Sequence, residues 1–570
     1  MVHEENGSAA AAWIARFPRP VPGADAGNGP LAGLRFAVKD NIDVAGVPTT
    51  AACPAFDRQP AAHAAVVQKL LDAGASLLGK TNLDQFACGL NGTRSPYGEV
   101  PNAFDPRYVS GGSSSGSAYV VAKGEVDFAL GTDTAGSGRV PAGLNNIVGI
   151  KPSRGLLSAV GVVPAAQSAD CVSIFARTVA VAVDVLLAAA GPDARDPYSR
   201  EIALLGEPFP SAFRFGVPDT LSFFGDLEAE AAFGDAQARL VALGGTAVTI
   251  PYAPLAEAAA LLYESALVAE RYAAVRGFFD AHGSQVIEPV RSILESGRGY
   301  SAADVFDAQT RLRALAQQAE PMWRGIDVLL VPTAPTHYTR DQMRADPVVL
   351  NRNLGAYTNF VNLLDYAAIS VPSSLRADGL PFGITLIGPC GSDLALAELG
   401  QRYHHATGLS QGATGLPLPE PRAIPGLGVS QAQAMPIAVV GAHLSGMPLN
   451  SQLTERGATL LRATATAPRY RLHALPGTVP PKPGLQRSAS GGTAIALEVW
   501  SVPVAQVGSF LALIPPPLGL GSVELADGNW VHGFICEGHA LHDAEDVSHH
   551  GGWRAYIASR TASSSQAIPT

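Results

Sequence analysis

The sequence predicts an α/β layer protein followed by a second, smaller globular domain, and three observations carry that reading. From about residue 31 to 407, short β-rich runs alternate with amphipathic helical stretches, the signature of helices layered on a sheet. Residues 415–434, GLPLPEPRAIPGLGVSQAQA, break the pattern with Pro and Gly and no periodicity, so they read as a linker. A chain of 570 residues also exceeds what one ordinary core organises. The expected organisation is a first domain over 1–414, a linker over 415–435, a second domain over 436–558 and a disordered tail over 559–570, RTASSSQAIPT being its last stretch.

The elements follow in order. LRFAVKD reads as a strand, and HAAVVQKLLDAG as a helix with Val66, Val67, Leu70 and Leu71 on one face. SLLGK is the next strand. LAEAAALLYESALVAERYAAV, residues 255–275, reads as one long helix. IDVLLVPTAP, AAISVPSSL and LPFGITLIG are strand-like runs bounded by Pro and Gly, and DLALAELGQRYHHATG is a helix closed by glycine. In the second domain PIAVVGAHL and GGTAIALEVWSVP are strand-like.

Composition excludes several classes. Hydrophobic residues make up 47% and charged residues only 15%, as in a packed globular protein. A formal net charge of −10 argues against a nucleic-acid surface. Five scattered cysteines without CxxC spacing read as reduced thiols. The N-terminus lacks a secretory pattern and no run is long enough to span a membrane, so a soluble cytoplasmic protein is expected. Residues 74–81, GASLLGKT, match a phosphate-loop expression, which would make the chain a nucleotide-binding protein. That chemistry needs a strand before the loop and a helix after it, whereas here the order is reversed.

Residues 111–142 hold the chemistry. GGSSSG carries Ser113, GTDTAGSGRVPA carries Ser137, and upstream FAVKD carries Lys39. A serine attacks only when something takes its proton. The small residues before Ser137 leave the backbone N–H groups of Thr134, Ala135, Gly136 and Ser137 able to bind an oxyanion. Asp133 has no histidine beside it in this region, so it and Arg139 read as loop supports, as do Ser114, Ser115 and Ser117.

This order and spacing resembles the amidase signature family. The resemblance implies a large mixed sheet flanked by helices and a Ser–cis-Ser–Lys triad needing no cofactor or metal. It implies that Ser137 is the acyl-enzyme nucleophile, Ser113 the bridging serine with a cis peptide, and Lys39 the base. A basic lysine must be neutral, and burial lowers a lysine pKa by up to about 3–5 units; Phe36 and Val38 fit a buried position.

NLDQFACGLNGTRSPYG, GTDTAGSGRVPA and the 255–275 segment resemble allophanate hydrolases in particular. TAGS followed by Gly138 departs from the TGGS plus bulky residue common in the wider family. The resemblance implies a small planar anion, urea-1-carboxylate, as substrate. It implies Tyr263 and Arg271 as the carboxylate-binding pair, two turns apart on one helix face, with Gly89 adding a backbone contact. Tyr300 and Arg311 form the competing pair. A homodimer working with a urea carboxylase is expected. Another small amidase, of the malonamate type, stays open, as does a tRNA-loading amidotransferase component. The second domain resembles γ-glutamyl cyclotransferase-like domains, small α+β barrel-like folds; Glu498 occupies an acid/base position there, and His443 on the GAHLSG loop is the other candidate. In the resembling enzymes this domain is implicated in decarboxylating the first product. His532, His539, His542, His549 and His550 lack metal-ligand spacing and read as exposed loop histidines.

Overall fold

The structure, a computed structural model, describes residues 10–23, 29–204, 206–427 and 434–565. The chain divides into two compact units, residues 1–429 and 430–570. Among the described residues of the first unit, eleven strands form one mixed sheet. They are β1 (Trp13–Val21), β2 (Arg35–Lys39), β3 (Ser76–Thr81), β4 (Phe128–Asp133), β5 (Val148–Lys151), β6 (Cys171–Ala176), β7 (Phe213–Pro218), β8 (Gly245–Ile250), β9 (Val328–Pro332), β10 (Tyr366–Leu375) and β11 (Pro381–Pro389). The spatial order is β1-β3-β2-β4-β6-β5-β10-β11-β9-β7-β8. Strands β3, β2 and β4 run parallel, as do β9, β7 and β8, while the centre is antiparallel.

The central strands β4, β5 and β6 are buried at every position, so they read as continuous apolar runs and not as alternating ones. The short strand β2 shows how the pleat places chemistry. Phe36 and Val38 enter the larger core with α1 (Ala65–Asp72), whereas Ala37 enters a smaller core with α2 (Ser115–Ala122). The two-residue period therefore starts Lys39 on the α2 side, towards Ser113 just before that helix.

The phosphate-loop match dissolves here. Gly74 has φ +96° after α1, and β3 follows it. Lys80 is fully buried, paired with Asp40 Oδ1 at 2.8 Å and donating to Thr49 Oγ1 at 2.7 Å. It has no free reach to a phosphate.

Two expectations are corrected in this unit. The single helix over 255–275 is two helices, Ala253–Glu264 and Ala269–His282, separated by a short turn. Ser265 breaks it: its backbone is extended (φ −139°, ψ 179°), and its hydroxyl accepts from Leu267 N–H and donates to the Leu261 carbonyl. Local serine bonds outcompete the helical ladder. The expected linker also packs onto this unit as far as residue 427. Ile424 is buried in the large core, and Gln401 donates to the Arg422 carbonyl. Residues 428–433 lie outside the described residues.

The second unit builds its barrel-like fold from two open sheets. One has five strands, in the order Thr459–Ala465, Ala496–Pro503, Ala434–Val439, Trp530–Cys536 and Leu518–Glu524. The other has three, Pro483–Arg487, Tyr470–Ala474 and Glu545–Asp546. Ile437, Val499 and Phe534 of the first share one core with Tyr470, Leu472 and Leu485 of the second. The tail expected from residue 559 is helical to 565, within Trp553–Ser565. Trp553 and Tyr556 anchor it by burial, and residues 566–570 lie outside the described residues. Among the described residues no helix is long and apolar enough to cross a membrane.

Candidate active site

Lys39, Ser113 and Ser137 come from the end of β2, the turn before α2 and the loop after β4. Lys39 and Ser113 are fully buried, and Ser137 is 2% exposed. The Gly112–Ser113 peptide is cis. Lys39 Nζ donates to Ser113 Oγ and to Thr132 Oγ1, each at 2.7 Å. Burial drives the Lys39 pKa down to about 7 against the opposing pull of the Asp84, Asp170 and Asp133 carboxylates, with the Arg271 cation assisting the drop. A lysine here is half neutral near physiological pH, the state a base requires.

The loop after β4 is organised by Asp133. Its carboxylate accepts from the backbone N–H groups of Gly136 (2.8 Å) and Gly138 (3.0 Å) and holds a two-point ion pair with Arg139. Burial alone would raise the Asp133 carboxyl; Arg139 and the Gly138 N–H outweigh it and keep the group below the usual range. One expected oxyanion donor is thereby corrected. The Gly136 N–H is turned to Asp133, so the open set is Thr134, Ala135 and Ser137, whose N–H groups make no hydrogen bond among the described residues. The small size of Gly138 also has a packing reason, since a Cβ there would meet Ser173 Cβ at 2.4 Å. Ser114 and Ser117 bond to the β4 backbone as supports, and Ser115 Oγ is buried without a partner.

Tyr263 and Arg271 do meet, although not along one helix face. The break at Ser265 folds the two helices so that Arg271 Nη2 donates to Tyr263 Oη at 3.0 Å, with the guanidinium 4.8 Å from the ring centroid. Arg271 is 2% exposed, and its Nε and Nη1 have no hydrogen-bond partner among the described residues. Gly89 lies at the other edge: its carbonyl accepts from Ser137 Oγ at 3.4 Å. Asn351 holds that loop by accepting from Leu90 N–H at 2.7 Å. The competing pair is excluded, because Arg311 is spent on a surface ion pair with Glu257 and Tyr300 is exposed.

In the second unit Glu498 is 3% exposed. Its Oε2 accepts from Ser445 N–H (2.8 Å), Ser445 Oγ (3.0 Å) and Trp500 Nε1 (3.1 Å), and its Oε1 pairs with Arg554 at 2.8 Å. Burial opposes ionisation, but Arg554 and these donors hold the carboxyl below its ordinary value. It is a carboxylate that clamps the loop after the Ala434–Val439 strand. His443, two residues from Ser445, is half-buried, bonded to Gln452 at 2.9 Å and edge-on to Phe510. Its pKa is lowered, burial being the cause. His539 lies 3.2 Å from Glu537, and the His549 and His550 rings are in contact. Among the described residues no three His, Cys, Asp or Glu side chains gather in a metal-holding group.

Comparison with known proteins agrees with this geometry. The model of the family described as Amidase matches residues 7–396, well over half of the chain. The chain belongs to the amidase family. A second model, the allophanate hydrolase C-terminal domain, matches residues 435–558. Urea amidolyase of Lachancea kluyveri is 45% identical over 543 residues, covering 93% of this chain. The chain spans only 30% of that relative's length. The crystal structure of Kluyveromyces lactis allophanate hydrolase superposes with a TM-score of 0.72 at 42% identity, covering 98% of this chain and 95% of the other. A glutamyl-tRNA(Gln) amidotransferase component of Halobacterium salinarum is 35% identical over 394 residues, covering 64% of this chain and 93% of the other. This amidase is an amide hydrolase with a second domain that the amidotransferase match does not reach.

Residues that sequence reasoning passed over also line this amidase site. Thr132 is the second partner of Lys39 and accepts from Asn41 as well. Asn362 Nδ2 donates to the Asp133 and Ala169 carbonyls, tying the Ser137 loop to the 165–170 loop. Asp84 accepts from Asn91, Gly92 and Arg94 N–H groups. Thr132 and Asp84 lie within the GTDTAGSGRVPA and NLDQFACGLNGTRSPYG segments, but their roles, like that of Asn362, show only through their contacts.

Proposed function

We propose that this amidase hydrolyses allophanate, urea-1-carboxylate, through a Ser137 acyl-enzyme with Ser113 and Lys39 as its proton relay. The observation that carries the substrate is the buried Arg271 guanidinium with two unpartnered nitrogens. Buried donors left without hydrogen-bond partners cost about 1–3 kcal/mol each, more on a charged group, so the site suits an anion that arrives with the substrate. A planar carboxylate fits the guanidinium fork, with the Tyr263 hydroxyl alongside.

Neutral Lys39 accepts the Ser113 proton along their 2.7 Å line while Ser113 accepts the proton of Ser137. Ser137 Oγ, held only by a 3.4 Å bond to the Gly89 carbonyl, bonds to the terminal carbonyl carbon of the substrate. The oxyanion faces the N–H groups of Thr134, Ala135 and Ser137. The C–N bond breaks as the amine takes the Lys39 proton and leaves as ammonia. Water, deprotonated by the same relay, then cleaves the Ser137 ester and frees N-carboxycarbamate, which loses carbon dioxide. Both nitrogens end as ammonia and both carbons as carbon dioxide.

The urea amidolyase relatives support a place in urea breakdown, with a urea carboxylase activity supplying the substrate; a cytoplasmic homodimer is the form we propose for it. His443 and Glu498 fit a second-domain role in handling the dicarboxylated product: Glu498 sets the loop and His443 presents a largely neutral ring. Ammonia release from allophanate, malonamate and neutral amides such as propionamide tests the reading. Allophanate is expected to have the highest kcat/KM. A neutral amide ahead of both anions overturns the carboxylate assignment, and malonamate ahead of allophanate selects the malonamate-type reading.

A further inference from the structure

Asp170 occupies a place in the site that the serine relay does not use. It stands just before β6, whose first residue Cys171 pairs with Asp133 at the end of β4. Its Oδ1 accepts from the Thr134 hydroxyl at 2.5 Å, and its Oδ2 from Ala165 N–H at 2.8 Å, with Ala166 N–H shared between the two oxygens. None of these donors is a cation. The same loop is held from the other side, where Glu270 accepts from Ser168 N–H and Ser168 Oγ, one residue before Arg271. The 165–170 loop thus joins the arginine helix to the loop that carries Ser137.

The charged groups around Asp170 are few. Arg271 of Ala269–His282 stabilises its carboxylate from a distance, and Lys39 of β2 feels its charge. Asp133 is already neutralised by Arg139, and the neighbouring Cys171 thiol is raised by burial. Desolvation outweighs the Thr134 and backbone bonds and pushes the Asp170 carboxyl up to about 6.

Resting on the reading of Arg271 as the carboxylate receptor, we propose that Asp170 is a positioning residue that takes a proton from solvent when the substrate anion settles on Arg271, and so keeps the site selective for an anion while holding Thr134 of the oxyanion loop. The reason is electrostatic. An anion on Arg271 withdraws the one nearby cation and adds like charge, and both favour the neutral carboxyl. A further rise of about one unit moves the group through neutral pH and takes up about 0.4 proton per site at pH 7. Protonated Asp170 keeps Thr134 in place by donating to its hydroxyl.

The test is calorimetry of sulfoacetamide binding in buffers of different ionisation enthalpy, using full-length Ser137→Ala protein to prevent turnover. The sulfonate stays ionised throughout, so any proton taken up goes to the protein. The expected result is uptake near pH 7 and affinity that rises about fivefold as pH falls from 8 to 6. Uptake should persist when Lys39→Ala is added and, in that Lys39→Ala background, vanish when Asp170→Asn is added. Binding without uptake overturns the proposal, as does uptake lost with Lys39→Ala but kept with Asp170→Asn. If the Asp170→Asn protein does not fold, the Lys39→Ala background alone decides, since loss of uptake there assigns the proton to the lysine. No binding, or binding unchanged by Arg271→Ala, instead defeats the Arg271 reading itself.

Discussion

Lys39 can be tested by replacing it and by titrating it. Its pKa falls from 10.5 to about 7. That difference of about 3.5 units corresponds to about 5 kcal/mol disfavouring the buried ammonium form. At pH 7 it raises the neutral fraction from roughly one in 3,000 to about half, a gain of about 10³ in available base. The kcat/KM profile should therefore show an acid limb of unit slope with a midpoint near pH 7, and Lys39→Arg should lower kcat by at least about 10³-fold. Stability gives an independent readout. Because the folded pKa lies below the unfolded one, the unfolded chain binds more protons between about pH 7 and 10.5, so this group makes folding more favourable as pH rises through that window. Below pH 7 the ammonium penalty is fully present. Lys39→Met removes it, offset by roughly 1 kcal/mol for each of the bonds lost to Ser113 and Thr132. Urea denaturation at pH 6 should find the variant more stable by about 2–3 kcal/mol, with the advantage fading by pH 9. An acid limb near pH 4, or identical pH dependence of stability in both proteins, would refute a desolvated lysine as the base.

Other residues give sharper local tests. Arg271→Ala should raise KM for an anionic substrate by on the order of 10²-fold while a neutral amide changes less than about 3-fold, read by steady-state ammonia release. Gly136→Ala introduces a Cβ 2.3 Å from Thr358 Oγ1 at φ +138°; kcat should fall by about 10²-fold with little change in KM as the oxyanion loop shifts. Glu498→Gln should destabilise the second unit by about 2–3 kcal/mol at pH 7, measured by its thermal or urea transition. The depressed Glu498 pKa makes its contribution full above the ordinary carboxylate range and lost as pH falls through the folded value, so wild type and variant should converge in acid.

The fold class was legible because apolar runs and helical periodicity are local properties. The buried strands β9, β10 and β11 all lie on runs that a window of ten residues reveals. Ser113 and Ser137 were legible because glycine neighbours advertise a backbone brought close to a reacting group. Tyr263 and Arg271 do come together, but the sequence pattern places them on one helix, since periodicity does not register a serine that turns its hydroxyl on its own backbone. Thr132, Asp170 and Asn362 were missed. Asp170 and Asn362 have an ordinary sequence context, Thr132 lies unmarked within the GTDTAGSGRVPA segment, and strand pairing and loop packing bring all of them to the site.

Residues 111–142 and Lys39 point, through their order and their resemblance to the amidase family, to an amide hydrolase and to the groups proposed to serve it. Whether those groups work is a matter of surroundings. Lys39 has a pKa near 7, as the proposed base requires, because residues from distant segments exclude water around it while the Asp84, Asp170 and Asp133 carboxylates limit how far it falls. Gly136 loses its place as a donor because Asp133 captures its N–H. Arg271 suits the proposed role of anion receptor because two of its nitrogens are buried without a partner among the described residues. Desolvation and long-range charge are properties of packed neighbours, and no stretch of sequence contains them.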